Sequence, residues 1–135
     1  MRKQADLKQK DEEDKMSLLV ITADMMFGSQ IRVTTKQLDV PVQLIATQKR
    51  LPSPEEVDSQ VILIDLEFPY PELLDWIAEV RRLNHSLEKM LAFGPHVHTE
   101  KLAAAKEAGC DEVWPRGKMV TSLRGLLESW QQQNR

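Results

Sequence analysis

Short apolar runs of strand length recur down this chain, and each is followed by a stretch with helical periodicity. The clearest run is Val61–Asp65 (VILID), four consecutive apolar residues closed by an acid. Leu18–Thr22 (LLVIT), Val42–Ala46 (VQLIA), Met90–Phe93 (MLAF) and Glu112–Trp114 (EVW) are the others. A strand that alternates apolar and polar residues has one wet face, whereas a near-continuous apolar run is covered on both. Leu18–Ile21 and Val61–Ile64 therefore belong inside a sheet that carries helices on both sides. Between the runs, Phe27, Ile31, Thr35 and Leu38 recur at helical spacing. Leu73, Ile77 and Val80 do the same within a helix expected over Pro69–Leu83, and Val120, Leu123, Leu127 and Trp130 line the last one. The alanine-rich stretch Thr99–Ala108 reads as a helix stopped by Gly109. Pro52–Asp58 reads as a loop with a short helix, because Ser53-Pro54-Glu55-Glu56 supplies a cap, a first-position proline and acids in the first turn.

Five strand–helix repeats imply a parallel sheet between two helical layers, with right-handed crossovers. The predicted fold is α/β, a flavodoxin-like (βα)5 three-layer sandwich with strand order 2-1-3-4-5. At 135 residues the chain suits one domain. Residues 1–16 stand apart as a charged extension. Met1–Lys15 carries five basic and five acidic residues and almost nothing to bury, which predicts disorder or a frayed helix. The domain itself is expected over 17–135, with no output domain after the last helix. Net charge is −3, which gives no strong field for nucleic acid or an anionic membrane. No apolar run approaches the length of a membrane span, and no secretory signal opens the sequence. With a single cysteine, Cys110, no intrachain disulfide can form. These features predict a cytoplasmic protein.

In such a sheet the functional crevice lies beyond the carboxyl ends of the strands, where the order reverses between strands 1 and 3. Asp65 closes the third strand and should point into that crevice, and Asp24 approaches it from the neighbouring strand. Two carboxylates so close repel, and a cation or a shared proton relieves the repulsion. Hard oxygen ligands of this kind suit Mg²⁺. Asp65 would then be placed to act as a nucleophile toward a phosphoryl donor. The plainer reading is that both acids cap the turns that follow.

At these residues the chain resembles bacterial response-regulator receiver domains over roughly Leu18 to Trp130. The resemblance rests on strand–helix order, on Asp65 in VILIDLEFP, and on the motif AAAKEAGCDEV from Ala103 to Val113. It implies that Asp65 holds the place of the phospho-acceptor. It further implies a Mg²⁺ site made of Asp24, Asp65 and the backbone carbonyl of Glu67, and Pro69 stands where receivers carry a proline. The departures are as informative. Receivers end strand 1 with two adjacent acids, and here Ala23 precedes Asp24. They carry a serine or threonine after strand 4, and Gly94 stands there. They end strand 5 with lysine and then proline, and here the order is Pro115-Arg116-Gly117. A lost acid weakens a metal site, a lost hydroxyl removes the usual relay, and a planar guanidinium does not simply replace an ammonium. Arg116 or another base is expected within salt-bridge reach of Asp65.

Other features point less far. His96 and His98 sit in a loop, but a zinc site needs three or four ligands. The Gly94–Thr99 loop leads to a helix start and, with Arg116, would suit a small anion or nucleotide. Cys110, beside Asp111 and Glu112, reads as structural. Met25 and Met26 read first as an inward helical turn and, if exposed, as adaptable contacts. Trp114 and Trp130 are candidate interface anchors for a partner or a homodimer. The resulting expectation is a receiver-like signalling module, not a turnover enzyme, that acts through protein–protein interaction with an incomplete phosphorylation site. Its expected partner is a protein such as a histidine kinase, a phosphotransfer protein or a signalling effector. A functional phospho-acceptor using Asp65 and Mg²⁺, and an anion- or nucleotide-binding domain, are the alternatives.

Overall fold

The computed structural model describes residues 17–133, so the expectation for the N-terminal extension lies outside the described residues. Five strands form one sheet: β1 Leu18–Ile21, β2 Val42–Ile45, β3 Val61–Asp65, β4 Lys89–Gly94 and β5 Glu112–Pro115. Four helices connect and close it: α1 Met25–Gln37, α2 Leu73–Leu83, α3 Thr99–Ala108 and α4 Arg116–Gln133. The strands lie in the order β2-β1-β3-β4-β5, and all pairs are parallel. This is the predicted flavodoxin-like arrangement, with the switch point between β1 and β3.

Side-chain parity divides the core into two halves, because successive residues of a strand point to opposite faces. Leu18, Val20, Val61, Leu63, Leu91 and Phe93 meet Phe27 and Ile31 of α1 and Met119, Leu123 and Leu127 of α4. Leu19, Ile21, Ile62, Ile64, Met90 and Ala92 pack with Trp76, Ile77 and Val80 of α2 and Ala105 of α3. All five residues of β3 are buried, as a central strand covered twice must be.

The second crossover differs from a full strand–helix repeat. Between β2 and β3 the chain makes only two single 3-10 turns, Gln48–Arg50 and Pro54–Glu56. Pro52 and Pro54 withhold backbone donors and bias their predecessors away from helical dihedrals. Only Leu51 and Val57 of this stretch reach the core, too few for a helical stripe. Trp76 of α2 fastens the connection by donating its indole N–H to the Pro52 carbonyl at 2.8 Å. The same proline effect makes α2 begin at Leu73 and not at Pro69, since Pro69 and Pro71 fall in the preceding loop.

Two expectations on the last helix need correction. Val120 is 38% exposed, and Met119 takes the inward place. Trp130 is 5% exposed and belongs to the α1–α4 half of the core, so it is not an interface anchor. The inward stripe runs Met119, Leu123, Leu127, Trp130, and the indole completes its last turn. Trp114 is half-buried, with the Lys118 ammonium 4.3 Å from its ring centre.

Candidate functional site

Parity builds the crevice. Thr22 follows β1 in step with Leu18 and Val20, and Asp65 ends β3 in step with Val61 and Leu63. Phe93 is the register partner of Asp65 on β4. All three therefore face α1 and α4 at the carboxyl edge of the sheet. Asp24 sits one turn beyond β1 and caps α1, its Oδ1 accepting from the backbone N–H groups of Met26 at 3.0 Å and Phe27 at 3.1 Å. Arg116 is the first residue of α4 and reaches back over the sheet edge.

Both oxygens of the Asp65 carboxylate accept hydrogen bonds. Its Oδ2 accepts from the Thr22 hydroxyl at 2.7 Å and from Arg116 Nη2 at 2.8 Å. Its Oδ1 accepts from the Glu67 backbone N–H at 2.9 Å. The side chain is 3% exposed. Arg116 divides its charge among three acids: Nη1 donates to Asp24 Oδ2 at 2.9 Å, and Nη2 also lies 3.4 Å from Glu67 Oε1. Beneath it the Phe93 ring centre is 5.4 Å from the guanidinium carbon, and Phe27 packs on Phe93 at 4.9 Å. Burial disfavours the charged guanidinium, but the charge and hydrogen bond of Asp65, then the charges of Asp24 and Glu67, outweigh it. Its pKa is held above the ordinary value. Among the described residues no buried side-chain polar atom lacks a partner.

Asp24, Asp65, Glu67 and Arg116 lie together, and the base expected beside Asp65 is Arg116; Glu67 takes part through its N–H and its carboxylate, where the expectation gave it a backbone carbonyl on Mg²⁺. Sequence reasoning missed Thr22 and Phe93. The signal for Thr22 was a hydroxyl at the end of β1 in phase with Asp65, and it was read only as part of a strand.

The residues do not fit a divalent cation of the receiver kind. Ala23 supplies no ligand. Asp24 spends one oxygen on α1 and the other on Arg116, and both oxygens of Asp65 are bonded. The place where a metal's charge would be needed holds a guanidinium. Among the described residues no three His, Cys, Asp or Glu side chains gather to hold a metal. Arg116, which the anion-binding expectation set beside the Gly94–Thr99 loop, is paired with the carboxylates of Asp24, Asp65 and Glu67. Gly94 is buried at the end of β4, where an added Cβ would meet Leu66 and Leu102 at ordinary contact distance, so its hydrogen side chain is not forced by crowding.

His96 and His98 are exposed, and His98 precedes α3 without a side-chain capping bond. Cys110 is 3% exposed, and burial pushes its thiol up to about 12. Met25 and Met26 do not turn inward; they are 84% and 85% exposed.

No protein-family model matches the chain, and no curated protein matches it either. Solved structures do. A CheY-like response-regulator receiver domain from Methanospirillum hungatei JF-1 superposes with a TM-score of 0.68 at 14% identity, over 88% of this chain and 98% of that one. The receiver domain of a sensor histidine kinase from Pseudomonas aeruginosa PAO1, solved with magnesium in its active-site cleft, gives 0.69 at 17% identity, over 86% and 97%. A putative pilus assembly-related protein from Burkholderia pseudomallei K96243 gives 0.67 at 17% identity, over 89% and 92%. The chain has the receiver fold.

Proposed function

We propose that this chain, a receiver fold with an arginine lodged in its acidic crevice, is a signalling module that works by binding another protein and not by accepting phosphate. The observation that carries the reading is the buried ion pair of Asp65 with Arg116, which also holds Asp24. A carboxylate nucleophile needs a free lone pair and a cation placed to neutralise the incoming phosphoryl group. Here three of about four lone-pair positions are taken, the side chain is 3% exposed, and among the described residues the cation beside it is a guanidinium that already bridges Asp65, Asp24 and Glu67. Gly94 offers no hydroxyl to answer a phosphoryl group. The phosphorylation site is incomplete in its ligands and closed in its geometry.

Output must then come from the surface. The partner class is a signalling protein: a kinase, a phosphotransfer protein or an effector. No helix among the described residues is long and apolar enough to cross a membrane, so the partner surface is sought on the water-facing helices.

Incubation with Mg²⁺ and acetyl phosphate tests the reading, followed by intact mass and tryptophan fluorescence. The expected result is no phosphoryl adduct and no change in emission from Trp114. A stoichiometric adduct on the native chain that disappears in Asp65→Asn would overturn it.

A further inference from the structure

We infer that a cavity between the β3–α2 loop and the start of α3 binds a small aromatic carboxylate. The cavity measures about 470 Å³, within the range of about 300–1,000 Å³ usual for small-molecule sites. It opens beside the closed crevice and shares only Glu67 with it. A ligand there requires no phosphate on Asp65.

The loop makes a firm wall. Leu66 donates its N–H to the Phe93 carbonyl at 2.8 Å, and Phe68 donates to the Asp65 carbonyl at 3.0 Å. Tyr70 donates to the Phe68 carbonyl at 2.8 Å, and Leu73 to the Tyr70 carbonyl at 3.1 Å. Pro69 and Pro71 stiffen the same stretch, each with its φ fixed by the ring. A wall held in this way is formed before the ligand arrives, so little ordering is left to oppose binding. Leu66, Phe68, Leu73 and Leu74 supply its apolar lining, and Tyr70 adds a half-buried ring that carries a hydroxyl. Rings among aliphatic side chains suit a flat apolar body, and the phenol can donate to an oxygen.

Charge selects the rest of the ligand. Lys101, in the first turn of α3, lines the same cavity and has no ion pair among the described residues. The acid in the lining, Glu67, lies 3.4 Å from Arg116, which offsets its charge. An unspent ammonium beside an apolar hollow is complementary to an anion with an apolar body. A neutral molecule would leave the ammonium unused, a cation would be repelled by it, and a bare anion would leave the apolar lining wet. Glu67 also ties the cavity to the crevice, because its N–H donates to Asp65 Oδ1 at 2.9 Å.

The test titrates the isotope-labelled full chain with 4-phenylbutyrate and with indole-3-acetate and follows the amide signals. Both acids should bind saturably and shift residues 66–74 and the first turn of α3. The uncharged 4-phenylbutyramide should bind at least about tenfold more weakly than its acid. Lys101→Gln should erase that preference, and Lys101→Arg should keep it. Leu74→Trp, which fills the cavity, should abolish binding of acid and amide alike. Lys101 is exposed, and unshifted amides of β1 and β3 will certify the fold of each variant. Absence of saturable shifts with both acids would overturn the inference, as would shifts confined to other faces. Equal affinity for acid and amide in the native chain, or equal affinity for inorganic phosphate, would overturn it too. The acetyl phosphate experiment is independent: an adduct on Asp65 would sink the closed-crevice reading and leave this cavity standing.

Discussion

Removing the Arg116 guanidinium would leave Asp65, its side chain 3% exposed, with the Thr22 hydroxyl and one N–H as its remaining partners and Asp24 as a repelling neighbour. Deleting one member of a buried pair costs about 3–5 kcal/mol, chiefly because the surviving charge is stranded. Arg116→Ala should therefore lower Tm, and its stability should become sensitive to millimolar Mg²⁺ because the vacated space then faces three acids. The native chain's Tm should not respond to Mg²⁺. Thermal melts of both proteins with and without the ion check this; a native chain stabilised as much as the variant would refute the idea that arginine takes the metal's part. This arrangement was half legible in the sequence. Asp65 ends β3 and Arg116 follows β5, so topology puts both at the carboxyl edge of one sheet with β4 between them. Thr22 was hidden because a hydroxyl at a strand end carries no mark of its direction until register is known. Trp130 was misjudged for a related reason: a residue near a helix end reads as border, and only the phase set by Met119 shows that it turns inward.

Elements were more legible than their connections. Apolar run length marked β1, β3 and β4, because burial on both faces leaves a signal in nearly every residue; the edge strands β2 and β5 are only partly buried and were marked by their place in the strand–helix alternation. In the second crossover the short turn at Pro54–Glu56 was legible from Ser53, Pro54 and the two acids, whereas the count of five full strand–helix repeats was not met, since two 3-10 turns stand where a helix would. The junction between α2, α3 and β5 shows how a single residue can serve three elements. Gly109 ends α3 at φ 125°, a conformation that suits glycine. An added Cβ there would lie 3.0 Å from Arg81 Cγ and 3.1 Å from Arg81 Cβ. Arg81 donates to the Gly109 carbonyl at 2.9 Å and to Asp111 Oδ2 at 2.6 Å, and Asp111 Oδ2 also accepts from the Met90 N–H at 2.8 Å. Gly109→Ala should thus lose roughly 1–3 kcal/mol in denaturant unfolding, through backbone strain and a displaced Arg81. An unchanged midpoint would show that this helix end relaxes freely.

At the scale of the molecule, the two halves of the core share one sheet, so neither helical layer can leave without uncovering strands that the other layer also holds. A single domain of this size is expected to unfold all at once. Cys110 reports on that expectation. It is the only cysteine, it lies in the α2–α3 half of the core, and it is 3% exposed. Its thiol is raised from an ordinary 9.0 to about 12, chiefly by burial, with the Arg81 charge opposing. The native state therefore disfavours the thiolate, and the stability tied to this group is whole below pH 9.0 and is lost as pH rises from there toward about 12. Cys110→Ala should flatten that alkaline fall. At neutral pH a thiol reagent should find Cys110 only in opened molecules, so the labelling rate should follow the population of the open form. If opening is global, that rate should climb with urea at the slope m of equilibrium unfolding. A shallower dependence would mean that α3 and the β5 edge detach alone, as a unit of lower stability. The structure favours the steep slope: Met90 and Ala92 of β4 pack beside Cys110 while Leu91 and Phe93 of the same strand are locked under α4, so freeing the thiol through this strand disturbs both cores together.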